Sequence, residues 1–173
     1  MKIIGLSGKS GSGKDYIAKN HFKPLGFYLV SLADHIKVWA TARGLCTFDE
    51  AFHTKPKHVR DILIQEGVTN GRSIYGDDIW IKTLMNWISV YNEKWGTDKF
   101  VITDVRFKNE LEYIQQSGYV YRIVAPQRLK ESSLTDEQKA DVSETDLDEM
   151  SNAKFDGVIY NDFPASNYLD YQI

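Results

Sequence analysis

The run Gly8-Lys9-Ser10-Gly11-Ser12-Gly13-Lys14-Asp15 follows directly on the apolar segment Met1-Lys2-Ile3-Ile4-Gly5-Leu6-Ser7. A strand that breaks into a glycine-rich loop ending in Gly-Lys has the layout of a phosphate-binding P-loop. Here an aspartate stands where a hydroxyl residue is expected after the lysine. The glycines let backbone N–H groups curl around phosphate oxygens, the next helix aims its positive end at the same anion, and the lysine adds a full charge. An ordinary Gly/Ser turn between a strand and a helix has similar composition. The spacing of Gly8 and Gly13, the adjacent Lys14 and the strand-like run before them weigh against that alternative and point to a bound nucleotide.

Strand-like and helix-like stretches alternate after the loop. Strands are expected at Lys2 to Ser7, Phe27 to Ser31, Lys99 to Thr103, Tyr119 to Val124 and Gly157 to Tyr160. Helices are expected from about Lys14 to His21, Asp34 (as cap) to Arg43, Pro56 to Glu66, Asp77 or Asp78 to Gly96, and Asn109 to Gln116. In the fourth of these, Ile81, Leu84, Met85, Ile88 and Trp95 follow a helical period. Gly67 reads as a helix stop and Thr69 to Gly76 as an exposed loop. Alternating elements of this kind imply parallel pairing through right-handed crossovers, hence a doubly wound α/β sheet. Ligands in such sheets gather at the carboxyl ends of the strands, where Gly8–Lys14, Asp104 and Asn161 all fall. At 173 residues the chain reads as one domain. From Pro126 to about Asp141 the periodic pattern gives way to charged residues, which suits either an exposed linker or a mobile lid over about 126–142.

Composition narrows the function classes. A net charge of −3 argues against broad electrostatic capture of DNA or RNA. A single cysteine, Cys46, allows no internal disulfide, and no apolar run approaches a membrane span. No signal-peptide pattern follows Met1, so a cytoplasmic protein with neither nucleic-acid nor membrane partner is expected. The four histidines have no metal-ligand spacing with Cys46.

Several residues invite chemistry. Asp104 ends an apolar strand, as a Mg²⁺-holding acid does in P-loop enzymes, although strand-end aspartates also serve as helix caps. Arg106 can fork onto a phosphate nearby, its alternative being a surface ion pair with Glu110. Asp15 beside a triphosphate is repelled unless a cation lies between them, and Mg²⁺ would reconcile the two. As a first-turn acid it would also suit the helix dipole. Arg60 and Arg106 are the candidates for an acceptor phosphate, with Lys37 as a weaker one; a solvated basic face is the alternative for Arg60 and its neighbour Lys57. Trp80 can stack on a base or pack in the core. Arg128 and Lys130 suit a lid over donor phosphates, and Ser143-Glu144 suits a contact to sugar or base, or a helix cap.

Taken together, these residues resemble the deoxynucleoside monophosphate kinases of tailed bacteriophages, within the P-loop nucleoside monophosphate kinases. Four segments carry the likeness: Ser7 to Asp15, Leu32-Ala33-Asp34-His35-Ile36-Lys37, Thr103-Asp104-Val105-Arg106-Phe107-Lys108-Asn109-Glu110, and Val142-Ser143-Glu144. Gly76-Asp77-Asp78-Ile79-Trp80 and Ile159-Tyr160-Asn161-Asp162 fit the same pattern, so the likeness spans nearly the whole chain. Tyr16 stands where a threonine is usual and Val142 where a histidine is frequent. The resemblance implies a three-layer P-loop kinase fold, with a five-stranded parallel sheet in the order 2-3-1-4-5 and a lid. It implies transfer of a phosphoryl group from ATP to a deoxynucleoside monophosphate with Mg²⁺. On this reading Gly11, Ser12, Gly13, Lys14, Asp15, Tyr16 and Asn161 hold ATP, and Asp15 and Asp104 serve the metal. Lys9, Ser10, Lys37, Arg60, Trp80, Asp104, Arg106, Ser143 and Glu144 face the acceptor, and Lys14, Arg106 and Arg128 act in catalysis. A homodimer is compatible with the family. Animal-type phosphomevalonate kinase is similar in the Gly-Lys-Asp and Ser-Glu regions, which keeps another phosphorylated acceptor open. A nucleotide-dependent regulatory protein is a further alternative.

Overall fold

The computed structural model describes residues 1–127 and 145–162. Five parallel strands form one sheet among these residues: β1 (Lys2–Ser7), β2 (Tyr28–Val30), β3 (Lys99–Val105), β4 (Tyr119–Val124) and β5 (Gly157–Tyr160). Their order is β2-β3-β1-β4-β5, as expected. β1 lies in the middle, with Ile3 opposite Phe100 on β3 and Gly5 opposite Val120 on β4.

Successive side chains of a strand point to opposite faces, so a strand that is apolar throughout needs cover on both sides. β1 and β3 meet that need. Ile3, Phe100 and Ile102 enter one core with Leu32, Ile81, Leu84, Ile88, Leu111 and Ile114. Ile4, Leu6 and Val101 enter a second core with Ile17, Ala18, Phe22 and Phe27. The first core is roofed by helices α2 (Leu32–Ala42), α5 (Ile79–Trp95) and α6 (Lys108–Gln115). The second is roofed by α1 (Lys14–Ile17), which continues as a wider π-helical turn through Ala18–Phe22 rather than as regular α-helix to His21. Helix α3 (Lys57–Gly67) packs on α2.

Thr69 to Gly76 is largely exposed, as expected, but it is helical rather than a loop. It coils as a π-helical turn (Val68–Arg72) and a short helix α4 (Ser73–Tyr75), with Gly71 buried. The cause is a close approach: a Cβ on Gly71 would come within 2.4 Å of Trp80 Cζ2. α3 does end at Gly67, as expected, but without a left-handed cap, and the chain goes on as the π-helical turn. Gly67 lies inside right-handed helix (φ −68) and is small because a Cβ there would come within 3.1 Å of Ile36 Cδ1. Trp95 departs from the expected buried stripe and is largely exposed at the end of α5. β3 runs one residue past Asp104, and α2 starts at Leu32 with Ser31, not Asp34, in the cap position.

Candidate active site

The carboxyl ends of β1, β2 and β3 open into a cleft of about 990 Å³. The loop after β1 lines part of it. Gly13 takes a left-handed conformation (φ 88, ψ 23) at the entry to α1, a region that favours glycine. Gly8 is needed for a different reason: a Cβ would come within 2.6 Å of the Ile123 carbonyl and 2.9 Å of Ser12 Oγ. Lys14 is nearly buried at 8% exposure, and its ammonium donates to the carbonyls of Gly8 at 2.5 Å and Lys9 at 2.8 Å. Ser12 Oγ is buried with no hydrogen-bond partner. A buried hydroxyl of this kind suits an anion inside the loop, because native structures rarely leave such groups unsatisfied.

Asn161, just past β5, is fully buried, and its amide donates to the Ser12 carbonyl at 2.7 Å. It therefore braces the loop from beneath. Lys9 pairs with Asp148 at 2.5 Å.

Asp104 caps a helix that is remote in sequence. Its Oδ1 accepts from the Leu32 amide at 2.8 Å, and its Oδ2 from the Ala33 amide at 2.9 Å and Ser31 Oγ at 2.7 Å. The two amides are orphan donors at the start of α2, which a carboxylate satisfies while complementing the helix dipole. A carboxylate offers about four lone-pair sites, so one remains on Oδ1. Asp104 also lines the cleft, as does the exposed Asp15. Among the described residues no group of three or more acidic, histidine or cysteine side chains is arranged to hold a metal. Mg²⁺ does not need one, since it usually keeps several waters and takes one or two carboxylates plus phosphate oxygens. Asp15 and Asp104 are two carboxylates in the cleft that could meet that requirement.

Elsewhere the cleft is cationic. Lys37, Lys55, Lys57 and Arg60 line it, and Arg106 reaches the cleft from the end of β3. Lys37 donates to Asp34 at 2.7 Å and lies 4.8 Å from the centre of the Phe52 ring. Counting Lys14 and Lys19, seven cationic side chains face three acidic ones (Asp15, Asp34, Asp104), a local excess of four positive charges in a chain of net charge −3. Such a cleft concentrates anions. Lys55 and Lys19 were not singled out by sequence. Lys55 could have been flagged only by its fold, since it alone among non-glycine residues described has positive φ (46).

Arg106 is steadied by a buried acid. Glu110 Oε2 accepts from the amides of Arg106 at 2.8 Å and Phe107 at 3.1 Å, while its Oε1 accepts from Arg72 at 2.5 Å. The Glu110 ion pair thus involves Arg72, and it is buried, in place of the surface pair with the Arg106 side chain that was the alternative to a phosphate contact. Burial pushes the Glu110 carboxyl up, opposed by those two amides and by Arg72. Arg72 lies 4.0 Å from the Phe107 ring centre and donates to the Asp77 carbonyl at 2.8 Å. Asn109 bonds the Asp77 carbonyl and Asp78 Oδ1. The Asp-Val-Arg-Phe-Lys-Asn-Glu segment and the Gly-Asp-Asp segment, remote in sequence, are one bonded unit behind the cleft.

Trp80 does not reach the cleft. It is 5% exposed, donates from Nε1 to the Gly67 carbonyl at 2.8 Å and packs on Gly71, so it is a core residue rather than a base platform. The cleft is lined by Ser10, Gly11, Gly13, Lys14, Asp15, Lys37, Arg60, Asp104 and Arg106, whereas Lys9, Ser12, Tyr16 and Asn161 do not line it. Tyr16 is exposed, edge-on to His21. Arg128, Lys130, Ser143 and Glu144, and with them most of the expected lid, lie outside the described residues.

A scan against protein-family models and a search of curated proteins give no match. Solved structures do resemble this one. A dephospho-CoA kinase from Campylobacter jejuni is 18% identical with a TM-score of 0.54, over 96% of this chain and 91% of that one. A sugar kinase from a Janibacter species is 16% identical with a TM-score of 0.52, over 95% and 87%. Shikimate kinase from Aquifex aeolicus is 16% identical with a TM-score of 0.50, over 94% and 87%. At such identities the likeness shows the fold, which is that of the P-loop kinases. No helix among the described residues is long and apolar enough to cross a membrane.

Proposed function

We propose that this protein is a kinase that transfers the terminal phosphoryl group of ATP to a deoxynucleoside monophosphate, with Mg²⁺. The observation that carries the proposal is the two-sided cleft: the P-loop with Lys14 and Asp15 on one wall, and Arg60, Lys57 and Lys55 on the other. A triphosphate alone occupies the loop and its metal; the second cationic wall suits a second anion. The resemblance of the Asp104-Val105-Arg106-Phe107 segment to phage deoxynucleoside monophosphate kinases supports a nucleotide as that anion.

Lys14 would exchange the Gly8 and Lys9 carbonyls for the terminal phosphates of ATP, and Ser12 Oγ would gain a partner in the same step. Arg60 would hold the acceptor phosphate in line with the donor. Arg106, at the end of β3 between the walls, would stabilise charge spread over the transferred group. No strong general base is required, since the attacking oxygen already belongs to a phosphate. Asp15 would help hold Mg²⁺, which would supply charge neutralisation for the donor phosphates.

The test is a steady-state panel of acceptors with ADP release as readout: dAMP, dCMP, dGMP, dTMP and modified pyrimidine monophosphates, each beside its ribose form. Turnover with at least one deoxynucleoside monophosphate, above every non-nucleotide acceptor, is the expected result. Mevalonate phosphate outcompeting every nucleotide would move the protein to a different acceptor class. ATP turnover indifferent to any acceptor would favour a nucleotide-dependent switch.

A further inference from the structure

Of the cations that line the cleft, Lys55 alone sits on backbone that a side chain makes costly. Its φ of 46 and ψ of 55 are left-handed, a conformation in which Cβ crowds the chain and which glycine adopts freely. Pro56 follows directly, and a residue before proline is pushed toward extended backbone. Two restraints hold Lys55 there against both preferences. Its amide donates to the Glu50 carbonyl at 2.9 Å and closes the π-helical turn Glu50–Thr54, whose Ala51 is fully buried. On the other side the Pro56 carbonyl accepts from the Val59 and Arg60 amides at 3.0 and 3.2 Å, which starts α3. Residue 55 is therefore the corner between that turn and the helix carrying Lys57 and Arg60. The corner needs this conformation, but it does not need a lysine. Backbone outliers of this kind gather at functional sites, where the side chain has a use that the fold alone does not explain.

We propose that Lys55 binds the phosphate of the acceptor, and that the strained corner exists to present its ammonium beside Arg60. The inference rests on the phosphate-bearing acceptor proposed above and adds a residue that sets its affinity. Lys55 lines the cleft together with Lys57 and Arg60. Among the described residues none of these three side chains has an ion pair or hydrogen bond, whereas Lys37 is held by Asp34 and Lys14 by two carbonyls. A phosphate monoester presents three terminal oxygens, and an arginine forks onto two of them. The third is left for a point charge on a flexible stem, which is what a lysine supplies. Lys57 lines the same part of the cleft from ordinary helical backbone, so only its charge speaks for it. At Lys55 charge, position and strain agree.

Steady-state kinetics and thermal melts of Lys55→Gly, Lys55→Arg and Lys94→Gln test it, Lys94 being an exposed lysine of α5 outside the cleft. Lys55→Gly relieves the backbone and removes the cation. Its melting temperature should rise by about 2–4 °C, the shift expected for release of one left-handed side chain in a chain of this size. Its KM for the deoxynucleoside monophosphate should rise at least about tenfold, the size of one charge-assisted hydrogen bond, with the KM for ATP unchanged. Lys55→Arg keeps the cation and should restore the acceptor KM to within about threefold of wild type. Lys94→Gln should leave both constants unchanged, as a general effect of net charge would not. A lysine that only shaped the corner would give the gain in stability without the change in KM. An acceptor KM that Lys55→Gly leaves within about twofold of wild type overturns the proposal, as does a loss that Lys55→Arg fails to restore. A lower melting temperature for Lys55→Gly overturns it too, because the corner would then not be strained. If the wild type phosphorylates another phosphate monoester in place of every nucleotide, the functional reading alone fails, and the same variants are read against that acceptor. A wild type that phosphorylates no phosphate-bearing acceptor overturns both.

Discussion

Arg72 donates to Glu110 across 2.5 Å in a buried pair that joins the chain before α5 to the turn carrying Arg106. The other Glu110 oxygen holds the Arg106 and Phe107 amides, so a structural ion pair and the direction of a cleft-lining arginine share one carboxylate. Removing one partner of a buried pair leaves the other charge uncompensated, which costs about 3–5 kcal/mol. Arg72→Met should therefore lower unfolding free energy in urea by about 3 kcal/mol. An effect below about 1 kcal/mol would mean that water already compensates Glu110.

Asp104 serves α2 through three accepted hydrogen bonds. Asp104→Ala should cost about 1–2 kcal/mol, the usual worth of a lost cap. Asp104→Asn keeps an oxygen acceptor and should retain more of that stability, yet lose much of the turnover if the negative charge serves the metal. Equal stability for the two variants would contradict the capping role, and full turnover of the asparagine variant would contradict the metal role.

Asn161 braces the P-loop through the Ser12 carbonyl. Asn161→Ala leaves that carbonyl without this donor, at a cost of about 1–3 kcal/mol. Because the strain falls on the loop, ATP affinity should drop about tenfold in a calorimetric titration, with acceptor affinity little changed. Unaltered ATP affinity would separate the brace from the site.

The hydrogen bond from Asn109 holds the Asp78 carboxyl below its ordinary value of 3.8, with Lys82 adding to the effect. A depressed carboxylate contributes stability that is present above its unfolded pKa and lost as pH falls through the folded value. The melting-temperature difference between wild type and Asn109→Ala should be full near about pH 7 and shrink below about pH 4. A difference independent of pH would assign the loss to the Asp77 carbonyl contact alone.

What was legible in the sequence follows the range of the interactions. β1 and its loop are local: an apolar run, then glycines at fixed spacing, and the structure reproduces both. The end of α5 is local too, since Gly96 takes the left-handed conformation a helix stop requires. The sheet order was carried by the family resemblance together with the alternation of elements. Long-range partners were not readable. Asp104 looked like a site residue because it ends a strand; that it caps α2 depends on Ser31 and Leu32, far away in sequence. Trp80 at its helix start suited base stacking or core packing equally, and only the folded chain sets Gly71 against its ring. Glu66 gave no signal, yet it is buried and accepts from Trp39, Arg43 and Asn70. Its partners Trp39 and Arg43 stand at the end of α2, remote in sequence.

The central claim is that the loop phosphate passes to an acceptor held on the opposite wall by Arg60. Labelled phosphate in the terminal position of ATP, followed by chromatography with a deoxynucleoside monophosphate present, tests this directly for wild type and Arg60→Ala. The account predicts label in the deoxynucleoside diphosphate for wild type. For Arg60→Ala it predicts an acceptor KM raised about tenfold or more, with the KM for ATP unchanged. Label released only as inorganic phosphate, or an acceptor KM that Arg60→Ala leaves untouched, would contradict it.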